Sequence, residues 1–115
     1  MSDKPVNTIQ PVLLTATLTT NIYNQGSALI YDLIRGFVFC NTTASAVTVT
    51  IYKGLTGANT AGTELFKGYS IPATTTIVFP WPGAGLKVVS TDFIVGGCST
   101  LNAITMMATG FQAVV

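Results

Sequence analysis

The chain has 115 residues and a mass of 12.0 kDa, enough for one domain with a single core and too little for two. Charged residues make up 8% of it and the net charge is +1, against about 25% charged residues in an ordinary soluble domain. No basic stripe is available to neutralise phosphates, so nucleic acid is not expected as a partner, and the surface must rest on Thr, Ser, Asn, Gly and apolar groups.

Taken in chain order, residues 1–11 (MSDKPVNTIQP) show no periodicity and hold Pro5 and Pro11. They are expected to form an extended N-terminal arm, with the single sandwich domain running from 12 to 115. The same residues lack the cationic and apolar regions of a signal peptide, so secretion by that route is not expected. The uncharged stretches Pro5 to Tyr31 and Phe93 to Val115 are broken by Thr, Asn, Gln and the pair Gly96-Gly97. Neither matches about 20 predominantly apolar residues, and no membrane partner is expected.

The segment VLLTATLTT sets Leu14, Ala16 and Leu18 against Thr15, Thr17 and Thr19, the pattern of a half-buried strand with a threonine outer face. Asn24-Gln25-Gly26-Ser27 supplies a turn. In ALIYDLIRGFVFC the aromatic and β-branched residues and Gly36 favour a strand over a helix, bent near Arg35-Gly36. Phe37-Val38-Phe39-Cys40 is apolar on both faces. Such a strand is central, and its second face calls for cover by a sheet, a loop or another subunit.

Asn41 to Ser45 turns the chain into a strand in which Val47, Val49 and Ile51 alternate with Thr48, Thr50 and Tyr52. GLTGANTAGT, residues 54–63, is expected to be a flexible connection. Short strands follow at about 64–71, 75–79, 86–89 and 93–95, separated by Pro72-Ala73, Pro80-Trp81-Pro82-Gly83 and Ser90-Thr91-Asp92. A last strand spans about 103–112, where Ile104, Met106 and Ala108 alternate with Thr105, Met107 and Thr109. Regularly spaced strands with turn chemistry between them predict an all-β fold, an antiparallel β-sandwich of jelly-roll type. The resemblance of TTASAVTVTI to STLNAITMMA is read as shared turn and strand chemistry.

Catalytic chemistry is thinly supplied. The chain has no His, the commonest general base, and Asp32, Glu64 and Asp92 are read as structural, Asp32 through Arg35 or a turn. The Gly/Thr loop lacks the Lys-Ser/Thr ending of a phosphate-binding loop. No enzyme activity and no cofactor are expected. Cys40 and Cys98 lie in no metal-ligand spacing, so no zinc is expected; they read as two buried thiols, with a disulfide as the alternative. Asn41-Thr42-Thr43 matches a glycosylation sequon and is read as a turn. Trp81, between two prolines, either caps an open end of the sandwich or anchors an interface or a sugar.

Asn41-Thr42-Thr43-Ala44-Ser45-Ala46-Val47-Thr48-Val49, the Gly/Thr loop, Ile71-Pro72-Ala73-Thr74-Thr75, Ala84-Gly85-Leu86 and Ser99-Thr100-Leu101-Asn102-Ala103-Ile104-Thr105 with Gly110 follow one another in a recognisable order. Over about residues 12–112 this order resembles the small β-sandwich structural proteins of tailed-bacteriophage virions, of capsid decoration or cement type or tail-associated. The Pro-Trp-Pro loop, the cysteines and Leu86-Lys87, where an acidic residue often follows the Ala-Gly turn, stand outside that pattern. The resemblance implies a virion protein assembled in host cytoplasm, without catalysis. Its partners would be the major capsid protein or other virion proteins and further copies in a homo-dimer or homo-trimer. The arm would then be a tether across a neighbour. Candidate interface residues are Pro5, Ile9, Pro11, Thr15, Thr17, Thr48, Thr50, Tyr52 and Trp81. A tail, neck or fibre component, and a glycan-binding module built on Trp81, are the alternatives.

Overall fold

A computed structural model describes residues 4–54, 63–83 and 85–114, with side chains described from Thr8 onward. Most of the Gly/Thr connection expected to be flexible, residues 55–62, lies outside the described residues. Among the described residues there are nine strands and no helix: β1 Lys4–Leu13, β2 Asn21–Asn24, β3 Ile30–Asn41, β4 Val47–Gly54, β5 Glu64–Ile71, β6 Thr76–Pro80, β7 Leu86–Val88, β8 Phe93–Cys98 and β9 Ile104–Val114.

The strands form a five-stranded sheet ordered β1-β9-β3-β6, with β7 beside β6 on the same edge of β3, and a four-stranded sheet ordered β2-β8-β4-β5. Every pairing is antiparallel. The pairs are nested: β4 with β5, β3 with β6 and β7, β2 with β8, and β1 with β9, alternating between the two sheets. One long hairpin, rolled so that successive pairs fall on opposite sheets, is a jelly roll. The expected sandwich architecture is therefore the observed one.

Period-two alternation explains the core. Val47, Val49 and Ile51 of β4 and Ile104, Met106 and Ala108 of β9 are buried, as the sequence pattern predicts. Phe37 and Phe39 of β3 stack at 6.3 Å, and Phe66 of β5 meets each ring edge-on at 5.4 Å. Ile34 and Phe37, three residues apart, are both fully buried, which a regular strand forbids. A register shift between Ile34 and Gly36 resolves it and leaves Arg35 outside. This bulge is the bend expected at Arg35-Gly36.

Two expectations need correcting. The residues read as an arm enter strand β1 from Lys4 onward and pair with β9 along Lys4↔Gln112 to Leu13↔Thr105. Register shifts on either side of Ile9 accommodate the irregular sequence that hid the strand. Conversely, 14–19 is not a strand, because here the chain changes sheets. The Leu14 N–H donates to the Ile104 carbonyl at 2.9 Å, on the five-stranded sheet. The next carbonyl, of Thr15, accepts from the Cys98 N–H at 2.9 Å, on the four-stranded sheet. The chain then loops out and returns at Thr20, whose carbonyl accepts from the Gly96 N–H at 3.0 Å, before the short β2 that sequence reading missed.

Candidate functional site

The second apolar face of β3 points away from the core, and its neighbours can be read from the register. Val38 lies between Val78 of β6 and Met107 of β9. Cys40 lies between Thr76 and Thr105, with Leu13 of β1 beyond Thr105. Gly36 lies between Pro80 and Thr109. Val78 is 64% exposed and Leu13 49%, while Val38, Cys40 and Met107 are half-buried. These three rows contain no charged side chain. Arg35 and Lys87 belong to the other half of the face, above Phe111 at 6.0 Å and Tyr31 at 4.6 Å.

Two of the acidic side chains lie elsewhere. Lys53 pairs with Asp92 at 3.1 Å, and the same Asp92 carboxylate accepts the Val89 N–H at 2.9 Å. Asp32 is fully buried in β3 and takes neither expected role, pairing with Arg35 or lining a turn: one carboxylate oxygen accepts the Tyr23 hydroxyl and the other has no partner. Burial, then the hydrogen bond to Asp32, then its charge, hold the Tyr23 phenol well above the ordinary tyrosine range.

The candidate interface residues scatter. Pro5 lies in β1 opposite Phe111. Pro11, Thr17 and Thr48 are exposed. Thr15 is half-buried, its hydroxyl 2.7 Å from that of Thr20. Thr50 accepts the Gly68 N–H at 3.0 Å, an internal use of its hydroxyl. Ile9 is a correction: it packs in the core, opposite Ala108. Tyr52 is another: it and its register partner Val95 are buried on the face away from the core, so its ring is not open surface. Trp81 is half-buried with its ring 5.9 Å from Phe37 and 6.3 Å from Phe66 and Phe79. It closes the aromatic end of the core, the first of its two expected roles.

Both cysteines are free. Cys98 is buried and its thiol donates to the Thr100 carbonyl at 2.9 Å, whereas Cys40 is half-buried on the outer face. Asn41 is buried and its side-chain nitrogen donates to two carbonyls, so the sequon is a turn. At the opposite end of β3, an open cleft of about 510 Å³ lies between residues 27–31 and 87–90, lined by Ser27, Ile30, Tyr31, Lys87, Ser90 and Val114 among others.

Sequence reading missed Val78 and Met107 as surface residues. The signal was the doubly apolar run Phe37 to Cys40, but its neighbours could be named only once the strand order was known. Comparison with protein-family models, curated proteins and solved structures gives no match to this chain.

Proposed function

We propose that this chain is a non-enzymatic structural protein of a tailed-bacteriophage virion, of the capsid decoration or cement type, working by association with neighbouring subunits. The observation that supports the reading most is the uncharged half of the outer face of the five-stranded sheet, where Val78, Val38, Met107, Cys40 and Leu13 are left partly or largely exposed. Contiguous apolar surface on a single domain is the usual mark of an interaction site. The low charge content of the whole chain and the resemblance of its turn and strand order support the same reading.

Within that reading the partners are the major capsid protein or other virion proteins, together with further copies in a homo-dimer or homo-trimer, assembled in host cytoplasm. A tail, neck or fibre position is the alternative within the same class. Imaging of phage particles purified from cells that produce the protein tests both. Density for the jelly roll over the capsid lattice supports decoration, density at the tail moves it to the alternative, and particles without the protein overturn the virion reading.

A further inference from the structure

We infer that β6 pairs with β6 of a second copy, in a closed two-fold dimer centred on Val78. The inference rests on the association reading above and names the contact. The Asn41 N–H donates to the Thr75 carbonyl at 2.9 Å, and the Trp81 N–H donates to the Arg35 carbonyl at 2.9 Å. The residues at both ends of β6 thus address β3, and antiparallel hydrogen bonds alternate along a strand. Ile77 and Phe79 therefore turn their amides to β3, while Thr76, Val78 and Pro80 turn theirs to the open edge. The side chains of those three residues are exposed on the outer face.

The other sheet edges are blunted in ways β6 is not. Strand β1 carries Pro5 and Pro11 and two register shifts. Strand β2 is four residues long and irregular. Strand β5 carries an exposed Lys67 and shifts its register twice against β4. Strand β7 is three residues long with Lys87 exposed. Strand β6 has no charge and keeps one unbroken register over five pairs, Gly36↔Pro80 to Cys40↔Thr76.

A second copy is the occupant that this edge fits. With Val78 opposite Val78 of the copy, the two residues exchange both hydrogen bonds, and each Thr76 N–H meets the carbonyl of the other copy's Pro80. Pro80 has no N–H, so the ladder stops there. Both β6 edges are then used, which closes the contact as a pair instead of a fibre. The Val78, Val38 and Met107 rows of the two copies join into one apolar band across the extended sheet.

Sedimentation equilibrium of the full chain tests this with Val78→Lys, which puts a charge at the two-fold centre on an already exposed position. The expected result is a wild-type dimer and at least a tenfold weaker association constant in the variant, with the two melting curves coinciding at concentrations low enough for both chains to be monomeric. Val78→Cys gives a second measurement that does not depend on the lysine variant folding. The opposed Cα atoms would lie about 5.5 Å apart, within the range a disulfide spans, so oxidation should link position 78 to itself in a peptide map. Wild-type association that survives Val78→Lys, with no link through position 78, overturns the β6 pairing and leaves the association reading standing. A wild-type chain that stays monomeric overturns both the pairing and self-association.

Discussion

The side-chain nitrogen of Asn41 donates to the Ile71 carbonyl at 3.0 Å, joining the end of β3 to the end of β5 across 30 positions of sequence. The same nitrogen donates to the Ser45 carbonyl at 2.9 Å, and the side-chain oxygen accepts from the N–H and hydroxyl of Thr43 at 2.9 and 2.7 Å. One buried amide thus fixes the turn that carries the chain from one sheet to the other. Removing it strands the buried Ile71 carbonyl and leaves the part-buried Ser45 carbonyl and Thr43 N–H without this partner. Asn41→Ala should lose about 3 kcal/mol of stability, read from urea denaturation midpoints at constant slope. A loss within experimental error would show that water or local rearrangement replaces the amide.

Gly97 is where the Thr15 to Thr20 segment closes on β8. A Cβ there would stand 2.4 Å from the Thr15 carbonyl oxygen and 2.9 Å from that of Thr17. Both obstacles are backbone, which cannot swing aside as a flexible side chain can. Gly97→Ala should cost about 1–3 kcal/mol and raise amide exchange selectively at Cys98 and Gly96, whose N–H groups bond that segment. Unchanged exchange at those two amides would contradict the close approach.

The jelly roll was legible because the alternating runs are long enough to carry their period, as in Val47 to Ile51 and Ile104 to Ala108. The segment 14–19 has the same alternation and is not a strand. Its Leu14 and Thr15 bond different sheets, and the crossing between them overrides a local pattern. Strand β1 shows the reverse case, since prolines and polar spacing hide a pairing that β9 supplies from a hundred residues away. Candidate surface residues were legible only as a style. Thr48 and Thr17 are exposed as threonine faces suggest, yet Tyr52 shares the alternation of Thr48 and Thr50 and is buried. The outer apolar rows depend on which strands flank β3, and local periodicity carries no strand order.

Trp81 packs against Phe37, Phe66 and Phe79. Trp81→Ala should cost about 2–3 kcal/mol, less than a fully buried tryptophan because the ring is half-exposed, while Trp81→Phe should recover most of it. Since Trp81 is the only tryptophan, both variants lack its fluorescence, and far-UV circular dichroism reads the unfolding of all three chains on one scale. A truncation without effect on stability would return Trp81 to the role of an exposed anchor.

Tyr23 gives the fold an alkaline limit. Its folded pKa lies above the unfolded value of 10.0. The stability this contributes is present in full below about pH 10 and is lost as pH rises through the folded value. Denaturation midpoints should fall above about pH 10, and Tyr23→Phe, which has no proton to lose, should reduce that fall. An identical alkaline limb in the variant would place the titration elsewhere.

The most direct check on the association reading is the mass of the purified chain over a range of concentrations. The uncharged face formed by Val38, Val78 and Met107 should drive self-association to a defined multiple of 12.0 kDa, and Val38→Glu should weaken it. A single well-behaved species of 12.0 kDa at every concentration, unaltered by Val38→Glu, would contradict it.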